Sequence, residues 1–353
     1  MARTVVLTSG SIFNGNPITF RIQPNVINGT PSFHRVIVEV ICGMSGGDFE
    51  TIKMSAPVDE EKEDAEISID ISSALRTFRD SYTYIPDTVT YPLVKFCLRV
   101  YDEYMLNGEV KPRVGELVVP AEVDGKPQYY CTLFGAFSDM ERMAANEFKS
   151  VKAFSRKPTS VPEIVAVGER YVYTPPFSEE CALLNSATLT PPTSQKTLIS
   201  TEGSQTINGV PLYALPQTDA ANRQEFRFIN SLGVLESVSV PKVYSKKRSV
   251  TSSSYAITRQ ETFSKFSRSF VKKSNNREAW LFQTDPLNED WQQWYLHEFL
   301  MSEYIWAHIN NQWVPCTITL EEDETYYNST ENNPLTVSFT AQLDINGSPM
   351  LLM

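Results

Sequence analysis

Val94-Lys95-Phe96-Cys97-Leu98-Arg99-Val100 places Val94, Phe96, Leu98 and Val100 at every second position. Asn107-Gly108 follows, set between Tyr104-Met105-Leu106 and Glu109-Val110. Apolar residues recurring with period two mark a strand with one covered face. Asn-Gly between two such runs signals a two-residue hairpin, because both positions tolerate positive φ. The pair of signals therefore predicts antiparallel β structure, and the same pattern extends outward. Ile18, Phe20 and Ile22 alternate after Pro17; Val36, Val38 and Val40 do so with Ile37 and Ile41 on the other face; Ile67, Ile69 and Ile71 form another run. Short strands separated by turn residues imply a sandwich rather than βαβ units. Two short helices are expected within this region. Ser72 or Ser73 would cap one through Phe78, and Ser138 with Glu141 three residues later would cap another through about Asn146.

Ser155-Arg156-Lys157-Pro158-Thr159-Ser160-Val161-Pro162 has the composition of a boundary. The chain is thus expected to hold a β-sandwich-like domain at 1–155, a linker at 156–163 and a second β domain at 164–353. A Ser/Thr/Pro-rich loop is expected at about 188–203, where so long a loop is usually functional. Phe226-Arg227-Phe228-Ile229 and Val234-Leu235-Glu236-Ser237-Val238 flank a turn at Asn230-Ser231-Leu232-Gly233. Tyr255 and Ile257 begin a further strand, and the shift of apolar parity from Phe263 to Phe266 and Phe270 suggests a bulge near Ser264. Asp285 as N-cap, Pro286 at the first helical position and a stripe of Leu287, Trp291, Trp294, Tyr295 and Phe299 predict a covering helix over about 286–301. Strands are expected at Tyr304–Ile309 and Trp313–Leu320, joined by Asn310-Asn311-Gln312, and at Leu335–Leu343. All five tryptophans (Trp280, Trp291, Trp294, Trp306, Trp313) fall in this segment. They read as a core where a helix covers a sheet, or as an aromatic contact surface of which Trp291 and Trp294 are candidates.

A length of 353 residues fits about two domains of roughly 150 residues. The 19 Phe and 16 Tyr suit pleated surfaces, and the 22 Pro oppose long helices. The net charge of −11 argues against general nucleic-acid binding. It is unevenly placed. From Lys242 to Arg277 there are ten basic residues and a single acid, Glu261, while the remainder carries 21 basic and 41 acidic residues. Such a chain can attract an acidic partner along one segment, an acidic copy of itself included. Five widely spaced cysteines (Cys42, Cys97, Cys131, Cys181, Cys316), with no CxxC, point to reduced buried thiols. The first residues lack the apolar core of a signal peptide, and no run approaches the length of a membrane span.

Signs of chemistry are few. Gly43-Met44-Ser45-Gly46-Gly47 fits G-x-S-x-G, but a nucleophile elbow needs a helix next, and Asp48–Met54 reads as a strand. His297-Glu298 lacks the second histidine of a zinc helix, and His34 and His308 stand alone. Glu321-Glu322-Asp323-Glu324 lacks calcium-loop spacing, and Asp59–Asp64 reads as an exposed loop. No catalytic residue, cofactor or metal ligand is assigned. The feature that remains is the basic segment: Lys246, Lys247, Arg248, Arg259, Lys265, Arg268, Lys272 and Lys273. It reads as an edge strand guarded by lysines, as a protein-docking strand or, with its interleaved aromatics, as a follower of a nucleic-acid backbone.

The run Phe226 to Ser237, the helix end Glu298-Phe299-Leu300-Met301-Ser302, the strand Asn311 to Ile318, and the front segments Asn16-Pro17-Ile18-Thr19-Phe20 and Ile67-Ser68-Ile69-Asp70-Ile71 carry a resemblance. In these the chain resembles virion structural proteins of tailed phages and prophages of Bacteroidetes. The resemblance implies a β-sandwich component of a tail, baseplate or neck ring, acting by assembly. The expected partners are copies of itself in a ring and other virion proteins, with DNA in a channel as a lesser expectation and no membrane. The expected location is the virion, after synthesis in the host bacterial cytoplasm. The alternative is a carbohydrate- or cell-surface-binding module stacking sugars on Trp291, Trp294 or Tyr327; a hydrolase using Ser45 ranks third.

Overall fold

The computed structural model describes residues 4–9, 13–44, 46–59, 66–137, 154–175, 191–242, 245–257, 268–320 and 336–343, with the backbone alone from 247 to 278. The expected helix at Ser138–Asn146, the acidic run at 321–324, the bulge near Ser264, Ser45, Cys181 and Tyr327 lie outside the described residues, as do Glu60–Asp64, 188–190 and Leu335. The fold is mostly β, built from antiparallel sheets with few helices. The chain divides into two compact units. Unit 1 comprises Met1–Ser155, Thr174–Gln195 and Ser231–Val234, and unit 2 comprises Arg156–Tyr173, Lys196–Asn230 and Leu235–Met353.

In unit 1, β1 (Val5–Ser9), β2 (Thr19–Ile22) and β5 (Ile67–Asp70) form one antiparallel sheet. β3 (Ser32–Met44), β4 (Glu50–Pro57), β6 (Leu93–Leu106) and β7 (Glu109–Val119) form the second, in the order β4-β3-β6-β7, and β8 (Tyr130–Leu133) also pairs with β6. Aromatic rings join the sheets: Phe20 of β2 lies 6.0 Å from Tyr130, which lies 5.4 Å from Phe96 of β6. The β6–β7 hairpin closes at Leu106↔Glu109 with positive φ at both Asn107 (51°) and Gly108 (82°), as its sequence predicts. Contrary to the one-faced reading of Val36–Val40, both faces of β3 are covered there.

The expected first helix is present as α1 (Ser72–Ser81), which runs three residues past Phe78 and buries Ala74, Leu75 and Phe78, but no serine caps it. The N-cap position falls on Ile71, whose side chain cannot accept a hydrogen bond. Asp70 serves instead: Oδ1 accepts the Ser72 N–H at 2.9 Å and the Ile18 N–H at 3.0 Å, and Oδ2 accepts the Ser72 hydroxyl at 3.1 Å. One carboxylate thus satisfies an orphan helix donor and ties the helix to β2. The turn Ser231–Val234 also belongs to this unit. At Gly233, with φ of +77°, a Cβ would overlap the Phe134 carbonyl, so only glycine permits that approach.

In unit 2, β9 (Glu163–Ala166) pairs in parallel with β13 (Val210–Leu215), which pairs antiparallel with β12 (Gly203–Ile207). β10 (Arg170–Tyr173) pairs with β11 (Gln195–Leu198), so the loop expected at 188–203 contains a strand. Four polar-rich residues are too short a run for periodicity to reveal. A small core of Val165, Tyr171, Ile199, Val210, Leu212 and Ala214 holds these strands.

The larger sheet has seven strands: β14 (Arg223–Ile229), β15 (Leu235–Pro241), β16 (Ser245–Ile257), β17 (Arg268–Gln283), β18 (Ile305–Ile309), β19 (Gln312–Leu320) and β20 (Ser338–Leu343), in the order β15-β14-β18-β19-β20-β17-β16. Besides the four-residue α2 (Gln217–Ala220), this unit carries α3 (Glu289–Trp294), which continues as a π-helical turn at Tyr295–Phe299. This is shorter than the helix expected over 286–301. Its N-cap is Asn288, whose side chain accepts the Trp291 N–H at 3.1 Å, while Asp285 is turned to Arg223 at 2.8 Å. The Asp-Pro start signal was competing with a stronger ionic partner. Trp291, Trp294, Tyr295 and Phe299 pack on Phe226, Phe228, Phe282 and Phe339, forming the core.

Candidate functional site

β16 and β17 pair from Ser245↔Leu281 out to Ile257↔Arg268. β17 joins the sheet through β20 only from Glu278↔Leu343 to Gln283↔Ser338. From Ser249↔Arg277 outward, therefore, the two strands pair with each other and, among the described residues, with no other strand. The ten residues Arg268–Arg277 give this free ribbon a length of about 33 Å at roughly 3.3 Å per residue. One bulge interrupts it, between Val250↔Asn276 and Thr251↔Ser274.

This ribbon gathers the basic candidates into one element. Lys246, Lys247 and Arg248 lie at its base, opposite Trp280, Ala279 and Glu278. Lys272 and Lys273 pair with Ser253 and Ser252, and Arg268 with Ile257. Arg259 and Lys265 fall in the connection outside the described residues. At the base, Lys246 Nζ sits 4.0 Å over the Trp280 ring, a cation–π contact that seats the ribbon on the core. A two-stranded ribbon is marginal in water, and clustered like charge weakens it further. Its composition instead suits contact with an acidic surface and opposes indiscriminate edge-to-edge pairing.

The two aromatic candidates go elsewhere. Trp291 and Trp294 are each 3% exposed, and the Trp291 Nε1–H donates to the Val161 carbonyl at 2.9 Å. They form the core under the sheet, not a contact surface, and offer no exposed face on which a sugar could stack. Nothing in the sequence separated these outcomes, because a helix stripe faces a core or a partner with the same periodicity.

The other candidates for chemistry resolve into structural contacts. After Gly43-Met44 the chain turns through Gly46 and Gly47 into β4, a strand and not the helix that a nucleophile elbow requires. His308 stacks on Trp313 at 4.7 Å across the β18–β19 pair, and the exposed His297 meets Gln293 at 3.0 Å. His34 Nε2 is 3.2 Å from Asp102 Oδ1, both side chains buried, beneath an open groove of about 500 Å³ bordered by the exposed Phe33. The described cysteines Cys42, Cys97, Cys131 and Cys316 are buried thiols, and burial pushes the Cys42 thiol up to about 12. Among the described residues no group of three or more His, Cys, Asp or Glu converges to hold a metal, and no helix is long and apolar enough to cross a membrane.

A buried polar cluster that the sequence did not announce fastens β9 and β10 to β15. Lys157 Nζ donates to both Glu163 oxygens (2.9 and 2.8 Å), to the Tyr171 hydroxyl at 3.3 Å and to the Ser237 carbonyl. Beside it, Glu169 Oε1 accepts the Ser239 hydroxyl at 2.8 Å, with Arg223 4.0 Å away and itself held by Asp285. Burial raises the Glu169 carboxyl from the usual 4.5 to about 7; the Ser239 bond opposes this and the neighbouring Glu225 adds to it. The folded chain therefore holds this proton more tightly than the unfolded chain. The stability it contributes is full below about pH 4.5 and is lost as pH rises through 7. Glu169→Gln is accordingly expected to stabilise unit 2 by about 3 kcal/mol at pH 8 and by no more than about 1 kcal/mol at pH 5. Urea unfolding at the two pH values reads this directly, and an equal effect at both would contradict it.

Comparison with known proteins finds no match for this chain, whether to a family model, a curated protein or a solved structure.

Proposed function

We propose that the protein is a structural subunit that assembles with copies of itself through its basic β-ribbon. In line with the resemblance of its sequence, the assembly is a ring in the tail, baseplate or neck of a tailed-phage particle, docked to other virion proteins. The observation that carries this reading is the ribbon: about 33 Å of self-paired strand, rich in Lys and Arg, extending from a sheet whose own core is closed. A projection of this kind contributes little to the stability of its own unit and gains from an acidic neighbour. The rest of the chain, at 21 basic against 41 acidic residues, supplies such a neighbour in every copy. Ring assembly requires two different complementary surfaces on one subunit, and this division of charge provides them.

Shortening the ribbon tests the reading. Replacing residues 249–277 with an Asn-Gly turn joins Arg248 to Glu278, which already face each other. In sedimentation velocity the full chain is expected to run as an oligomer and the shortened chain as a monomer. The unfolding midpoint should hold, because every residue described in the core of unit 2 is retained. A shortened chain that assembles like the full one would refute the role given to the ribbon.

A further inference from the structure

We infer that β17 of one subunit, along its free stretch Arg268–Arg277, adds as an antiparallel strand to the outer edge of β4 in the next; the inference rests on the assembly reading and names the partner surface. From Arg277 out to Arg268, the side of β17 away from β16 meets no strand among the described residues. Its backbone donors and acceptors there are open to pairing with another chain. β4 offers the matching edge. It ends its sheet, with β3 on one side and, among the described residues, no strand on the other. Its pairing with β3 runs unbroken from Arg35↔Pro57 to Cys42↔Glu50, and its eight residues span about 26 Å. Within one chain β4 and the ribbon belong to different sheets.

The other strands that end a sheet are poorer templates. β1, β5, β9, β10, β11 and β12 have four or five residues each. β15 has seven, of which six are buried. β7, the opposite edge of β4's own sheet, breaks register twice against β6, contains Pro112, and turns through positive φ at Arg113 (53°) and Gly115 (63°). Bulges and an internal proline are how an edge strand refuses a partner. On β4, by contrast, the only proline is the last residue, and Ile52, Met54 and Ala56 are half-buried, so a strand laid alongside completes their cover.

The two edges also agree in the order of their residues. Set antiparallel with Phe270 opposite Pro57, β17 brings Lys272 to Ser55 and Ser274 to Lys53, whose ammonium already meets Glu103 at 3.3 Å. No like charges stand opposite each other. Past the ribbon's bulge, Arg277 reaches the start of β4, where Asp48 and Glu50 are exposed and enter no ion pair among the described residues. Phe270 and Val271 come to the other end, where Ser55 and Pro57 border the open groove that leaves Phe33 83% and Val110 64% exposed. Cations thus meet acids at one end and apolar residues meet apolar surface at the other. A subunit that gives its ribbon to one neighbour keeps its own β4 for another, a head-to-tail contact that closes into a ring when its rotation permits.

Amide hydrogen exchange, read by mass spectrometry on the peptide spanning 48–57, tests the assignment. The full chain is compared with the chain in which an Asn-Gly turn replaces residues 249–277. Exchange in this peptide is expected to be at least about tenfold slower in the assembled full chain, because the outward N–H groups of β4 gain partners. Exchange across β7, at 109–119, is expected to be the same in both. Glu50→Arg is expected to weaken assembly about tenfold at low salt, and adding Arg277→Glu to the same chain to restore it. Since the restored chain carries both substitutions, recovery also excludes misfolding. A ribbon-dependent oligomer whose β4 exchanges as fast as in the shortened chain would overturn docking on β4 and leave the assembly reading standing. Slowed β4 exchange without rescue by Arg277→Glu would overturn the antiparallel placement. A full chain that stays monomeric, or a shortened chain that assembles equally, would overturn the assembly reading itself.

Discussion

Lys157→Met is expected to lower the unfolding free energy of unit 2 by about 3–5 kcal/mol, the cost of leaving a buried charge without its partner. The side chains of Lys157 and Glu163 are 1% and 4% exposed, so no water replaces the lost ammonium. Lys157 also lies over the rings of Tyr171 (4.6 Å) and Trp294 (5.3 Å), and a methionine of similar length retains that packing. The loss should therefore come from Glu163, and the double variant Lys157→Met with Glu163→Gln should recover most of it. Burial and the adjacent Glu163 raise the Tyr171 hydroxyl well above its ordinary range, so the phenol stays neutral and donates to Glu163 at 3.1 Å without supplying the positive charge that is lost. All five tryptophans lie in unit 2, so tryptophan fluorescence during urea unfolding follows this unit alone. A double variant no more stable than Lys157→Met would show that packing, not the uncompensated carboxylate, sets the cost.

Phe226→Ala is expected to cost a comparable 3–5 kcal/mol for a different reason. Phe226 is fully buried, and its ring touches those of Phe282 at 5.2 Å, Phe299 at 5.5 Å and Phe339 at 6.0 Å. These partners come from β17, the π-helical turn and β20, so truncation opens a cavity where the ribbon's base, the helical cover and the sheet meet. The same variant should weaken assembly, because the base of the ribbon in β17 is fixed by this aromatic cluster. Fluorescence-detected urea unfolding gives the first effect and sedimentation velocity the second. A loss below about 1 kcal/mol would mean that the site collapses and that the cluster does not fix the ribbon's base.

Much of the architecture is legible because it rests on local periodicity. The alternation in Val94–Val100 and the Asn107-Gly108 turn encode their conformation in adjacent residues, and the fold realises both; the connection expected at Asn310-Asn311-Gln312 is a two-residue turn with Gln312 already in β19. Helix boundaries were less legible, since capping depends on which polar group is free. Asp70 was available to α1, whereas Asp285 was engaged by Arg223. Lys157 and Glu163 sit in a Pro- and Ser-containing stretch that reads as a boundary, and their third partner, Ser237, is 80 residues away. No periodicity announces a contact of that range. The ribbon was half legible. Its charge is plain in the count from Lys242 to Arg277, but Ser252-Ser253-Ser254 carries no alternation from which its length as paired strand could be read. Trp291 and Trp294 show the converse: a strong pattern that fits a core and an interface equally, decided only by packing.

The central claim is assembly through complementary charge, and native mass spectrometry of the untagged chain at low and moderate salt tests it most directly. Surface charge is screened over about 10 Å at 0.1 M salt and over less as salt rises, so a contact made by the ribbon must weaken accordingly. The account predicts a closed oligomer of defined copy number at low salt that dissociates as salt increases. A chain that remains monomeric at every concentration and salt would contradict it.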